Sequence, residues 1–328
     1  MKLQILIPQY KETDEVIKPL LDSIALQQNI DFSEIGVIIC NDGSDVHLTD
    51  EFLLSYPFKI EYHLCEHNGV SATRNECLDR ARAEYVMFCD ADDMFYNMCG
   101  LWIIFREMEI GFDSLTSVFV EETKYSPLTI TKETTYINRE MDSTFVHGKV
   151  HRRKYLLNND IRWNPDLTIH EDSYFNILCS NLSQNVKYCT TPFYLWKWRD
   201  ESVCRHDPKY ILKTYNNMLD SNDALIQEFI KREIHDKANF YVTLMIFDAY
   251  YTMNKPDWVN QENIEYRDMT EKRFADYFAK YKSRWEQMPT NDKMIISQQI
   301  RQRSVMEGMQ MESITIDEWL THIETLNN

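Results

Sequence analysis

Up to about residue 110 the chain alternates short, β-rich apolar runs with stretches of helical periodicity. That alternation is the signature of βαβ units wrapped around a mostly parallel sheet. The runs Leu3 to Ile7, Ile35 to Cys40, Lys59 to Cys65 and Tyr85 to Cys89 read as strands. Between the first two, Val16, Ile17, Leu20, Leu21, Ile24 and Ala25 recur at three- and four-residue spacing, which predicts a helix covering one sheet face, with Thr13 placed to cap its start. A second helix is predicted from Val70 to Ala83, after the Asn68-Gly69 turn. In open α/β sheets ligands bind beyond the carboxyl ends of the strands. The loops Pro8 to Glu12, Asn41 to Asp45 and Asp90 to Asp93 are therefore expected to converge on one crevice.

From about 114 to 146 the sequence is Thr-rich and alternating, which suggests extended segments, and Val150 to Leu157 reads as a short helix with a basic face. His170-Glu171-Asp172 follows a turn at Asn164-Pro165, and the helical spacing of Tyr174, Phe175, Ile177, Leu178 and Leu182 puts Asp172 at a helix start, where unpaired amides favour a carboxylate. Beyond residue 206 strand signals vanish and the pattern becomes a set of amphipathic helices. The expected organisation is an α/β domain over 1–206 and a helical domain over 207–328.

Composition narrows the function. The 328 residues contain 44% hydrophobic and 27% charged residues, with only 7 Gly and 9 Pro, which excludes disordered and fibrous classes. The net charge of −17 repels polyanions, so a nucleic-acid partner would need a local basic patch. No apolar run approaches the roughly 18 residues of a membrane helix, and the start reads as a first strand rather than a signal peptide. Eight cysteines without a CxxC pair suggest reduced thiols and a cytoplasmic location.

Three carboxylates crowd the end of one apolar strand in Cys89-Asp90-Ala91-Asp92-Asp93, an arrangement that is costly unless a cation neutralises it. Hard divalent ions take such oxygens together with substrate phosphates, so the loop suggests a Mn2+ or Mg2+ diphosphate site. Asn41-Asp42-Gly43-Ser44-Asp45 and Pro8-Gln9-Tyr10-Lys11-Glu12 end two further strands, the second offering a ring suited to stacking on a base. Trp196-Lys197-Trp198-Arg199 and Ser202 are placed to close over a diphosphate, with His206 a candidate extra metal ligand. His147 to Lys154 holds four Lys/Arg and no acid, so Lys149, Arg152 and Arg153 are candidates for gripping donor phosphates or an anionic acceptor, DNA included.

The ordered set Ile7-Pro8-Gln9-Tyr10-Lys11-Glu12, Ile39 to Ser44, Asn68 to Asn75, Phe88 to Asp93 and His170-Glu171-Asp172 resembles glycosyltransferase family 2 over about residues 1–205. The resemblance implies a GT-A fold and an inverting transfer from a nucleoside diphosphate sugar, a UDP-sugar foremost, to an acceptor hydroxyl. It implies that Pro8, Tyr10, Glu12 and Asp42 hold the nucleoside, Asp42 at the base edge, and that Arg74 lies near the donor, where the Trp196 to Arg199 run is expected to bring Arg199 as well. Asp90 would bind ribose or metal, with Ala91 beside it, Asp92 would coordinate the ion, Asp172 would be the general base, and Glu171 would touch the acceptor or serve the structure. Lys11 departs from the Asn usual after Tyr. The acceptor stays open between a glycan or other hydroxyl compound and a hydroxymethylated DNA base. The rival readings are a sugar nucleotidyltransferase, against which no Gly-rich triphosphate loop is seen, and a non-catalytic binding module, against which Asp92 and Asp172 are both retained.

Overall fold

The computed structural model describes residues 1–123, 126–130, 144–199, 209–306 and 314–327. The chain divides into two compact units, Met1–Asp200 and Glu201–Asn328. In the first, the elements run β1 (Leu3–Gln9), α1 (Asp14–Ala25), β2 (Ile35–Asp42), α2 (Asp50–Leu53), β3 (Lys59–Cys65), α3 (Val70–Arg80), β4 (Tyr85–Phe88), β5 (Met94–Phe95), α4 (Gly100–Ile110), β6 (Ser114–Thr123), β7 (Ser126–Ile130), β8 (Lys149–Arg152), α5 (Arg153–Asn158), α6 (Glu171–Asn181) and β9 (Val186–Trp196).

These strands form a single mixed sheet in the order β3-β2-β1-β4-β8-β6-β9-β5, with β7 on β6. The first four are parallel to one another, with Leu3 opposite both Ile35 and Tyr85. Every residue of β2 and β4 is buried, as expected of strands covered on both faces. Ile17, Leu20, Leu21 and Ile24 of α1 pack into that core, and Asp14 and Glu15 stand in the first turn, where the helix dipole favours acids. Thr13 is the N-cap residue, but its side chain makes no capping hydrogen bond.

The other half of the sheet departs from the sequence reading at one place. Residues 150–152 are strand rather than helix: β8 runs antiparallel to both β4 and β6, pairing Arg152 with Tyr85 and Val150 with Met87, and α5 starts only at Arg153. Val150 and His151 are drawn into the sheet because neighbours on both sides complete their backbone hydrogen bonds and cover their side chains, with His151 1% exposed.

The second unit is helical: α7 (Tyr210–Lys231), α8 (His235–Met253), α9 (Pro256–Val259), α10 (Ile264–Gln287), α11 (Thr290–Met306) and α12 (Ile316–Thr325). Phe229, Tyr241, Met245, Ile246, Phe274, Phe278 and Trp319 form its interior, so the aromatic wealth of this region is core. Buried Glu271 is satisfied by Arg267 at 3.1 Å and by the indole N–H of Trp319 at 3.4 Å. Among the described residues no helix is long and apolar enough to cross a membrane.

Candidate active site

The loops that follow β1, β2 and β4 meet in a crevice of about 350 Å³. Its walls include Pro8, Tyr10, Glu12, Asp42, His67, Gly69, Asp90, Ala91 and Asp92. The Glu12 carboxylate closes its own loop by accepting from the Tyr10 amide at 2.6 Å, and burial raises its pKa. Lys11 takes a left-handed conformation (φ 70°) and sets its ammonium over the Tyr10 ring.

Asp42 is buried and heavily engaged. Its carboxylate accepts from the amides of Asn68 at 2.9 Å and Gly69 at 3.1 Å, just before α3, and from Nδ1 of His67 at 3.0 Å. Gly43 makes this closeness possible: its φ is +68°, and a Cβ there would lie 2.6 Å from the His67 backbone nitrogen.

The aspartate loop splits its three acids among different partners. Asp90 sends Oδ1 to Nη2 of Arg74 at 2.9 Å and has Oδ2 3.7 Å from Nε2 of His147. Asp92 is ion-paired with Nη1 of Arg199 at 2.8 Å. Asp93 is buried, accepting from the Tyr194 hydroxyl at 2.6 Å and the Lys197 amide at 2.9 Å, and burial together with the charges of Asp90 and Asp92 pushes its pKa well up. His147 is also buried, stacked between Phe145 and Tyr194. Oxygens of Asp90 and Asp93 and a ring nitrogen of His147 lie within 4.8 Å of one another, and Nδ1 of His147 is buried without a hydrogen-bond partner. Carboxylate oxygens backed by one imidazole are a donor set that suits Mn2+ and, less well, Mg2+. The placement of His147 beside the acids and the partners of Asp93 escaped the sequence reading because they come from more than 50 residues away, Tyr194 and Lys197 from 101 and 104. His206 and Ser202 lie outside the described residues.

Arg74 is the hub. It is 4% exposed, packs its guanidinium 4.4 Å over Trp163, and binds Asp90 through Nη2 and Glu171 through Nη1, each at 2.9 Å. Burial works against that charge, and the two carboxylates more than restore it, so its pKa stands above the usual value. Asp172 therefore stands second in α6, beside a neighbour already committed to Arg74. His170 precedes it in a left-handed turn (φ 64°), and the Ser173 amide donates to Asp172 at 2.7 Å. Burial, with the negative charge of Glu171, pushes the Asp172 pKa up to about 7, against opposing pulls from Arg74 and Lys149. A carboxylate poised there can accept a proton near neutral pH.

The basic stretch does not line the crevice. Lys149 is 4% exposed and donates to the Phe145 carbonyl at 2.6 Å; its charge acts inward on Asp172. Arg152 binds the Tyr85 hydroxyl at 2.8 Å and Arg153 the Ala83 carbonyl at 3.0 Å. Both stand at the start of β4, roughly 15 Å of strand away from the aspartate loop at its other end. Antiparallel pairing of β8 places Arg152 and Arg153 at the opposite end of β4 from the crevice, so the structure does not bring them to the aspartate loop.

Comparison with known proteins agrees with this geometry. Residues 4–149 match the model of "Glycosyl transferase family 2". The chain is 24% identical over 253 residues to the putative glycosyltransferase EpsH of Bacillus subtilis, covering 72% of each. It is 28% identical over 276 residues to the minor teichoic acid biosynthesis protein GgaB of the same organism, a match spanning 77% of this chain but 29% of GgaB. The crystal structure of residues 1–349 of Staphylococcus aureus TarS superposes with a TM-score of 0.64 at 16% identity, covering 92% of both chains, so the fold is the GT-A fold of that enzyme. TarS is a poly(ribitol-phosphate) beta-N-acetylglucosaminyltransferase, and this chain spans about a third of its full length in sequence. With its ordered motifs, its sheet and these relatives in agreement, the chain is a glycosyltransferase whose residues 4–149 match glycosyl transferase family 2.

Proposed function

We propose that the enzyme transfers a sugar, with inversion, from a UDP-sugar to a hydroxyl of a glycan or polyol-phosphate acceptor. The observation that carries this reading is the Asp90–Arg74–Glu171 chain of ion pairs, which ties the donor-phosphate loop to the turn presenting Asp172. The uridine donor is supported by TarS, solved in complex with UDP-GlcNAc, and the acceptor class by the poly(ribitol-phosphate) and teichoic acid relatives. The seven described cysteines are free thiols, which suits a cytoplasmic setting.

In this mechanism Pro8, Tyr10 and Glu12 form the nucleoside wall and Arg74 holds Asp90 in place toward the diphosphate. A divalent ion would be held by Asp90 with Asp92, His147 and Asp93 backing them, and it would supply charge neutralisation for the departing diphosphate. Arg199 is placed to exchange Asp92 for a phosphate oxygen. Asp172 takes the acceptor hydroxyl's proton as that oxygen attacks the anomeric carbon from the face opposite the leaving group, a contribution of roughly 10² to 10⁴ in rate. Glu171 orients rather than reacts. Incubating the protein with a panel of nucleotide sugars and Mn2+ and following nucleoside diphosphate release tests the reading: UDP-sugars should be turned over slowly even without acceptor, and inertness toward every nucleotide sugar would refute it.

A further inference from the structure

We infer that Lys149 is a positioning residue for the reaction: its buried ammonium braces the helix that carries Asp172 and supplies positive charge that the Asp172 carboxylate needs. That role presupposes Asp172 as the base, as proposed above. Lys149 stands on β8, 4% exposed, and donates to the Phe145 carbonyl at 2.6 Å. The same carbonyl accepts from Nδ2 of Asn176 at 2.8 Å. Asn176 is buried one turn after Asp172 in α6, and residues four apart share a helix face. Phe145 in turn stacks on His147 at 5.3 Å and 3°, and Nε2 of His147 lies 3.7 Å from Asp90. The ammonium thus pins a second link between the aspartate loop and α6, beside the Asp90–Arg74–Glu171 chain.

Around Asp172 stand Glu171 and His170 from its own turn, Arg74 from α3 and Lys149 from β8. Asp90 shares Arg74 with Glu171, and burial favours the neutral ring of His147 beside it. Once Asp172 loses its proton, three carboxylates face the single guanidinium of Arg74, whose Nη atoms are already bound to Asp90 and Glu171. Lys149 brings the second cation. Burial and the Glu171 charge oppose ionisation of Asp172, while Arg74 and Lys149 favour it. A buried ammonium is effective in this role because little water or salt screens it.

The test compares Lys149→Gln, which can still donate to the Phe145 carbonyl but carries no charge, with Lys149→Arg, which keeps the charge. In UDP release from UDP-GlcNAc with Mn2+, the kcat/KM of the wild type should rise with pH through about 7. Lys149→Gln should move that rise up by about one pH unit, a loss of about tenfold at pH 6, while Lys149→Arg stays within about 0.3 unit of the wild type. The donor-free protein gives a readout that holds whatever the donor sugar. Lys149→Gln should lower the denaturant midpoint more at pH 8, where folded Asp172 is ionised, than at pH 5, where it is protonated, and Asp172→Asn should abolish that difference. An equal midpoint loss at both pH values, a wild-type rise left unmoved by Lys149→Gln, or failure of Lys149→Gln to fold at pH 5 would overturn the role of Lys149 and leave Asp172 as the base. A wild-type profile flat through pH 7, or full turnover by Asp172→Asn, would overturn Asp172 itself.

Discussion

Glu171 gives its carboxylate to Nη1 of Arg74 at 2.9 Å, although it stands directly beside Asp172. The two adjacent acids are thereby separated in role: one is charged and locked to a buried guanidinium, while the other feels that charge and holds its proton longer. Removing Arg74 leaves two facing carboxylates uncompensated, and breaking a buried pair this way costs about 3 to 5 kcal/mol. Arg74→Met should therefore lower the urea midpoint strongly. The loss should be greatest above about pH 4 and shrink as pH falls, because burial opposes ionisation of Asp90 while Arg74 and His147 hold its pKa below the usual range, so its stabilisation exists only where it is ionised.

Asp172 acts in the opposite direction on stability. Its folded pKa of about 7 lies above the ordinary 3.8, so between about pH 4 and 7 the folded chain holds a proton that the unfolded chain has released. Stability from this group is full below pH 4 and is lost as pH rises through 7. Asp172→Asn removes that loss and keeps an oxygen for the Ser173 amide. It should stabilise the donor-free protein by about 4 kcal/mol at most at pH 8 and by little at pH 4, measured as denaturant midpoints at the two pH values.

The Arg199–Asp92 pair is about a third exposed on each side, so its structural worth is small. Arg199→Ala should change stability by less than about 1 kcal/mol. Affinity for UDP with Mn2+ should nevertheless fall on the order of tenfold, because a charge-assisted contact to the diphosphate is lost. Unchanged UDP affinity would remove Arg199 from the donor site.

Arg152 and Arg153 lie at the far end of β4 from the crevice. Reversing both to Glu should leave kcat/KM within about twofold and its salt dependence unchanged, while lowering the melting temperature through loss of the Tyr85 and Ala83 contacts. A severe, salt-sensitive loss of transfer would restore the basic stretch to the acceptor site.

Most of the parallel half of the sheet was legible because β1, β2 and β4 are buried on both faces and so read as apolar runs ending in polar loops. Asp172 at the start of α6 was legible for a related reason, since helical spacing begins immediately after it. β8 was not, because four residues with two cations and a histidine carry no strand signal until β4 and β6 close over them. The partners of the acids were equally hidden: Arg74 meets Glu171 97 residues away, and Asp93 meets Tyr194 101 residues away. His67 carried no signal in the sequence, and its stack on Tyr10 and its bond to Asp42 emerge only in the fold.

The central claim is single-displacement transfer with Asp172 as base, and the product's anomeric configuration tests it most directly. Proton NMR of the sugar product formed from an α-linked UDP-sugar, read at its first appearance, should show the β configuration. The kcat/KM of the wild type should rise with pH through an apparent pKa near 7, as the Asp172 carboxyl gives up its proton. Asp172→Asn should form product 10² to 10⁴ times more slowly with UDP affinity unchanged. An α-configured first product, or near-wild-type turnover by Asp172→Asn, would contradict the account.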